Sequence, residues 1–325
     1  YLIFKCLRLN LIMPCTYTSL TPLKSGVKYW ILIISILLFF SCRENNGSDS
    51  STDDTPSEEF TSISFTAIGD VPYNNEQRDG LIDIISRHNA IDPSEFVIHV
   101  GDIKPGAAEC DETVYQDVSG ILRTFEAPTF IVLGDNEYND CSNPQQGLEY
   151  WNKYFLHFNE NWTFEPSVIY QPERTENFSW TQKNVLFIGV NLVGSQVHDS
   201  LEWHNRLVQN GQWVKKLLEE QVDNVEAMVV FGHANIVEAG PDKFKPFTDL
   251  FRSAAQSFGK PVLMVQGDGH FWIKNKPWPE QNITRLQIDG RDTAVKITVD
   301  TSLEYPFSFD RHFLDPSSQN KNHPQ

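Results

Sequence analysis

Four apolar runs in this chain end in Gly-Asp: Ile68-Gly69-Asp70, Val100-Gly101-Asp102, Leu133-Gly134-Asp135 and Val265-Gln266-Gly267-Asp268. A fifth ends in Phe231-Gly232-His233, and His270 follows Asp268 by two positions. A single Gly-Asp after a strand is an ordinary turn, since both residues favour turns. Turn preference alone does not repeat the motif at the ends of successive apolar runs. In open α/β sheets ligands bind beyond the carboxyl ends of the strands, and glycine lets the backbone turn sharply and approach a ligand. Carboxylates converging there repel one another, and a buried carboxylate must be paired or bind metal. Lys104 is the only basic residue close beside the motifs. Carboxylates with imidazoles suit Mn, Fe, Zn or Mg better than thiolate-preferring ions.

Short apolar runs at 63–68, 96–100, 130–133, 185–190, 227–231 and 262–265 read as buried strands. Amphipathic stretches at 76–89, 113–125, 146–157, 202–222 and 243–256 read as helices. In the first of these, Leu81, Ile82, Ile84 and Ile85 share a face; in the fourth, Trp203, Leu207, Val214 and Leu218 recur at helical spacing. Strand–helix alternation predicts a layered α/β fold with a mixed sheet. The alternating patterns at 284–288 and 294–299 predict a closing antiparallel pair.

The N-terminal part reads as an address rather than a fold. Residues 30–40 are an apolar run, too short for a membrane span of ~20 residues. They suit the core of a secretory signal, with Lys24 and Lys28 as its charged flank. Ser41-Cys42 follows and resembles the lipobox of bacterial lipoproteins, in which the cysteine is lipidated; the plainer alternative is a cleaved signal with an incidental cysteine. We therefore expect residues 1–42 to be an upstream extension (1–26) followed by a lipoprotein-type signal peptide. Residues 43–59 are expected to form a flexible polar linker, and 60–325 one domain with a frayed polar tail from 316. The expected location is the bacterial cell envelope, exported and held to the membrane by lipid on Cys42.

Charge narrows the partners. The chain has 26 Lys+Arg against 43 Asp+Glu, a net charge of −17. Residues 1–42 hold four basic residues and no acid, so the acidic excess lies in the remainder. Nucleic-acid affinity comes from basic patches, so none is expected. A small anionic substrate stays open, because bound metal ions invert the local field.

Taken in order, Asp70, Gly101-Asp102, Gly134-Asp135-Asn136-Glu137, Gly232-His233 and Gly267-Asp268-Gly269-His270 resemble the motif series of the calcineurin-like metallophosphoesterases. The resemblance implies a four-layer α/β/β/α sandwich of two mixed sheets, with a metal site at the strand C-terminal ends. It implies two divalent metal ions (Mn, Fe, Zn or Mg). Asp70 would bind the first, Asp102 would bridge both, Asp135, His233 and Asp268 would bind the second, and His270 would serve the first. It further implies a small phosphorylated substrate, with hydrolysis of phosphate mono- or diesters by a metal-activated hydroxide. Asp102, Asn136 and Lys104 are the expected catalytic residues. Asn136 is expected to hydrogen-bond a phosphoryl oxygen and Lys104 to clamp phosphate, against the plainer reading of Lys104 as a solvated loop residue.

The departures from the family pattern carry their own expectations. Two residues after the first Asp the family has His, whereas this chain has Pro72, which cannot ligate. Asp135-Asn136 stands where the family has Asn-His, so the usual leaving-group acid is missing. Solvent or Glu137 is left to supply that proton, and good leaving groups are expected to be preferred. Aspartate replaces a neutral ligand twice around the second metal, which tilts it toward harder ions such as Mn or Mg. The same departures motivate an alternative: a catalytically degenerate phosphate- or metal-binding surface lipoprotein. A third reading, a structural protein with calcium-binding turns, is weakest, since calcium takes oxygen ligands and His233 and His270 sit at motif positions.

Cys110 and Cys141 lie in the loops after Asp102 and Asp135. Because those loops leave neighbouring positions of the implied site in an exported protein, a disulfide between them is expected. Free thiols or a soft metal site are the alternatives. Cys6 and Cys15 fall in the segment read as discarded. Tyr73, Tyr138 and Trp272 each follow a motif, and either wall the pocket or simply pack. Asn191 lines the pocket or caps a turn, and His99 is a core or supporting residue.

Overall fold

Side chains that alternate along the strands feed two different apolar layers. In β1 (Ser62–Ile68), Ile63, Phe65 and Ala67 face one cluster while Ile68 faces another. This is the period of two expected of a strand buried on both faces. The computed structural model describes residues 62–315. The signal, lipid anchor and linker read at 1–59, and the tail from 316, lie outside the described residues.

From β1 the chain runs through β2 (Phe96–His99) and β3 (Thr129–Ile131). It then enters a second sheet: β4 (Ile169–Gln171), β5 (Arg174–Gln182), β6 (Val185–Gly189), β7 (Ala227–Phe231), β8 (Val262–Gln266), β9 (Ile273–Asn275) and β10 (Ile283–Gln287). It returns to the first sheet as β11 (Val295–Asp300) and β12 (Phe307–Asp310). The five-stranded sheet has the order β12-β11-β1-β2-β3 and the seven-stranded sheet the order β4-β5-β6-β7-β8-β10-β9. Both are mixed. β1, β2 and β3 run parallel, as do β6, β7, β8 and β10, with antiparallel strands at the edges.

Helices cover both outer faces. α1 (Asn75–Ala90), α2 (Glu112–Leu122) and α3 (Pro144–Phe155) bury Leu81, Tyr115 and Trp151 in one cluster with Ile68, Val97 and Ile131 of the first sheet. α4 (Ser200–Gln221) and α5 (Lys245–Phe258) pack Leu207, Val214, Phe247 and Phe251 on Met228, Val230 and Met264 of the second. Between the sheets lies an aromatic layer that includes Phe65, Phe96, Phe130, Trp180, Phe187 and Phe231. Phe130 and Trp180 stack at 4.3 Å between ring centroids, and Phe65 and Phe96 at 4.9 Å. Such pairs add ~0.5–1.5 kcal/mol each beyond burial. Three apolar clusters separate four layers, so the expected α/β/β/α sandwich is the fold observed.

One expectation fails. The segments 284–288 and 294–299 do not pair with each other. β10 runs parallel to β8 in the second sheet, and β11 runs antiparallel to β1 in the first. Two adjacent alternating runs give no sign that the connection between them crosses from one sheet to the other. Among the described residues, no helix is long and apolar enough to cross a membrane.

Candidate metal centre

Five of the parallel strands deliver a motif at the same edge of the sandwich. Asp70 follows β1, Asp102 follows β2, Asp135 follows β3, His233 follows β7 and Asp268 follows β8. Main-chain bonds stitch these turns across the two sheets: Asp70 N donates to Gly101 O, Gly267 N to His233 O and Arg291 N to Asp70 O. Asp70, Asp102, Asp268 and His270 all have left-handed backbone, with φ of 52°, 63°, 69° and 57°. Non-glycine residues hold such angles at a cost of ~1–3 kcal/mol each, and keep them where the surroundings over-determine them. Glycine is required at 134, because a Cβ there would collide with the amide nitrogen and carboxylate of Asp102.

The donor atoms form two groups that share Asp102. Asp70, Asp102 and His270 make one, and Asp102, Asp135 and His233 the other, with ligand atoms in each within 4.8 Å of one another. Asp102 divides its oxygens between them. Oδ1 lies 3.2 Å from His233 Nε2, and Oδ2 lies 2.8 Å from the Tyr73 hydroxyl on the side of His270. In the first group His270 Nε2 is 3.1 Å from Asp70 Oδ1. In the second, His233 Nε2 is 3.0 Å from Asp135 Oδ1.

The arrangement fits a cation better than it fits protein hydrogen bonds. His233 Nδ1 donates to Val100 O at 2.8 Å, which leaves Nε2 to point its lone pair at Asp102 and Asp135. A lone pair facing carboxylates is repulsive unless a positive charge stands between them. Three buried atoms here, His233 Nε2, Asp135 Oδ1 and Asp70 Oδ2, lack any aligned hydrogen-bond partner. Buried polar atoms are rarely left so, and a bound cation is a standard reason.

Burial and charge crowding shift the ionisable groups of the cluster. Burial and neighbouring charges push the Asp102 carboxyl up to about 6, although His233 opposes this. Burial also raises Asp268. For His233 burial disfavours the charged form, but Asp102 and Asp135 outweigh it and hold the imidazole well above its ordinary range. His270 is raised by its bond to Asp70.

Not every expected residue enters the cluster. Asp268 stands at its edge, with Oδ2 accepting from Asn235 N at 2.8 Å while its own N–H binds Asp70 Oδ1 at 3.0 Å. Asn136 is present but committed. Its N–H donates to Asp102 Oδ1 at 3.0 Å, and its side-chain amide donates to Lys104 O at 2.9 Å and the Tyr73 hydroxyl at 3.2 Å.

Two expectations are corrected. Lys104 is neither a phosphate clamp nor a solvated loop residue, because it is buried and its ammonium donates to Ala108 O at 2.7 Å and Pro105 O at 3.1 Å. Its side chain ties its own loop together. Glu137 cannot hand a proton to a leaving group, because it is fully buried and both oxygens face backbone. Gly134 N, Asp102 N and Ile103 N donate to it at 2.6, 3.2 and 3.2 Å. Burial and the charge of Asp102 push its carboxyl up to about 8 despite these donors.

The remaining singled-out residues sort cleanly. Tyr138 is buried against Arg206, and Trp272 packs on Phe309 and Arg311. Asn191 is bonded to Asn177 and Glu176. His99 is a supporting residue, with Nε2 donating to Val71 O and Nδ1 accepting from Gly101 N. Tyr73 alone of the three aromatics belongs to the centre; its adjacency to the first motif was the available signal, but adjacency does not give side-chain direction. Burial, with Asp102 and Asp70 alongside, pushes its phenol well above its ordinary value. Cys110 and Cys141 are joined in a disulfide, as expected.

The sequence profile described as calcineurin-like phosphoesterase matches residues 63–274. No curated protein sequence matches the chain. Among solved structures, a dimetal phosphatase from Danio rerio is 13% identical with a TM-score of 0.48, covering 73% of this chain and 95% of its own. A purple acid phosphatase from yellow lupin seeds is 11% identical with a TM-score of 0.46, covering 78% of this chain and 55% of its own. A Plasmodium protein described as the anchor in the inner membrane complex is 9% identical with a TM-score of 0.46, covering 77% and 88%.

Proposed function

The chain belongs to the calcineurin-like phosphoesterase family of phosphate ester hydrolases, and from that premise we propose that it hydrolyses phosphate mono- or diesters at a centre built for two divalent ions. The observation that carries this reading is the shared Asp102, whose two oxygens face two separate donor groups. Asp70 and His270 would hold one ion, Asp135, His233 and Asp268 the other, and Asp102 both. Bound there, divalent ions supply Lewis acidity to a phosphoryl oxygen and bring the pKa of water toward neutrality.

The protein's own part is placement. Val100 O fixes the His233 ring, Glu137 fixes the backbone that carries Asp102, and Asn136 N–H fixes one Asp102 oxygen. Substrate reaches the centre on the side of His270, whose side chain is 34% exposed while those of Asp70 and His233 are 0% exposed. Mn, Fe, Zn and Mg all remain compatible with this oxygen-rich donor set. The substrate class proposed is a small phosphate ester. Export and a lipid anchor on Cys42 belong to the same proposal; they rest on the apolar run before that residue and are supported by the disulfide, which persists in oxidising compartments.

The test is metal content and turnover together. Protein purified without chelator is expected to carry about two divalent ions per chain and to hydrolyse aryl phosphates, with loss on chelation and recovery on adding Mn, Fe or Zn. A chain that takes up no metal under any of these conditions overturns the reading.

A further inference from the structure

The two donor groups are unequal as they stand. The second has three clustered donors with Asp268 beside it, whereas the first has only Asp70, Asp102 and His270. Pro72 offers nothing to ligate, and the next residue is Tyr73. Its hydroxyl lies 2.8 Å from Asp102 Oδ2, 3.1 Å from His270 Nε2 and 3.5 Å from Asp70 Oδ1. It therefore touches all three donors of the first group.

These spacings are those of ligands around one ion. Donors ~2.0–2.2 Å from a metal, at tetrahedral or octahedral angles, stand about 2.8–3.6 Å apart. The three Tyr73 distances and the 3.1 Å between Asp70 Oδ1 and His270 Nε2 all fall in that interval. A phenol has one proton, and here it faces two carboxylate oxygens and an imidazole nitrogen at once.

The placement is fixed by the start of α1. Tyr73 N donates to Gln77 Oε1 at 2.8 Å, and the next residue, Asn74, caps the helix by accepting from Gln77 N at 2.9 Å. Asn136 Nδ2 donates to the hydroxyl oxygen from the far side at 3.2 Å, and the His270 ring lies edge-on to the tyrosine ring at 5.3 Å. A side chain anchored at its backbone, at its ring and at its oxygen has little freedom to point elsewhere.

We propose that Tyr73 is the fourth ligand of the first metal, coordinating through its phenolate oxygen in the place that Pro72 leaves unserved. Coordination forms the metal–oxygen bond and releases the phenolic proton to solvent, with no change of oxidation state. The first ion then has four protein donors, three anionic and one imidazole: Asp70, Asp102, Tyr73 and His270. Asn136 acquires a role toward this oxygen rather than toward substrate. The inference rests on the two-ion reading above.

The experiment uses zinc, which is spectroscopically silent. The protein is stripped with chelator and titrated with zinc while the ultraviolet difference spectrum and bound metal are followed. Two ions per chain with the band of one tyrosinate are expected. Tyr73→Phe, checked for native circular dichroism, is expected to lose that band and to bind its weaker ion at least ~10-fold less tightly, as losses around metal sites commonly do. Tyr73→His is expected to recover the affinity without the band. Two ions with no tyrosinate signal in the wild type, or unchanged affinity in Tyr73→Phe, overturn the tyrosine assignment and leave the two-ion centre standing. No zinc bound by the wild type overturns both. Should Tyr73→Phe fail to fold, the wild-type spectrum decides alone.

Discussion

Glu137 accepts the backbone N–H of Asp102 at 3.2 Å, so the residue shared by both donor groups is positioned through its main chain by a carboxylate that never meets the ligand. The same carboxylate takes the N–H groups of Gly134 and Ile103. It thereby locks the turn after β2 to the turn after β3. Glu137→Ala leaves all three N–H groups without their acceptor at a fully buried place. At ~1–3 kcal/mol for each orphaned buried group, the loss is about 3 kcal/mol or more. Urea unfolding of both proteins in chelator measures it without any metal contribution. A loss below about 1 kcal/mol would mean that water or a shifted loop replaces the carboxylate.

Leaving-group dependence should be steep. The groups nearest the usual place of the acid are an amide, a buried carboxylate and a lysine bound to carbonyls. General acid catalysis is worth roughly 10²–10⁴-fold. Alkyl phosphates should therefore lag aryl phosphates by about that factor in kcat. Comparable kcat across a series of leaving groups would show that a proton donor reaches the site.

Much of this was legible in the sequence, and the limits have physical reasons. Buried parallel strands write themselves as apolar runs, so the motifs after β1, β2, β3, β7 and β8 could be placed at strand ends. A resemblance then ordered Asp70, Asp102 and His233 around two ions. Pairing was less visible: the two late strands lie in different sheets, one beside β8 and one beside β1, and no local pattern encodes that. Side-chain direction was least visible. Lys104 stands two residues from Asp102, yet its ammonium turns back to Ala108 O. Tyr73 stands one past a proline, yet it reaches across to Asp102. Charge and proximity along the chain suggest that a residue is near a site, but only the turn geometry decides which way it faces.

The disulfide guards the loops that carry the centre. Cys110 and Cys141 are 31 residues apart, and the segment between them contains Asp135, Asn136 and Glu137. In the chain-entropy account, closing a loop of this length contributes about 3–4 kcal/mol. Replacing both cysteines by alanine should lower unfolding stability by that order, read by urea titration under non-reducing conditions. Metal retention should weaken with it, because Asn136 and Glu137 brace Asp102. An unchanged midpoint would show that the packing of α2 on α3 holds the loops without the bridge.

Stability should fall in mild acid through His88, which lies buried on α1, away from the metal ligands. Its Nε2 accepts the Ser94 N–H at 3.1 Å and lies 2.9 Å from Ser94 Oγ, which itself donates to Phe96 O or Thr66 Oγ1. Protonating Nε2 would take the acceptor away from a buried N–H and place a charge among Phe125 and Phe313. Burial accordingly pushes its pKa down to about 4, from an ordinary 6.5. The unfolded chain binds this proton more tightly than the folded one. The contribution to stability is therefore complete above pH ~6.5 and is lost as pH falls toward ~4, on the order of 3 kcal/mol in all. His88→Gln cannot titrate, so wild type and variant should lose stability at different rates across that window. Urea midpoints at several pH values between 7.5 and 4.5, taken in chelator, give the two slopes. Parallel slopes would mean that His88 is charged in the fold or reached by water.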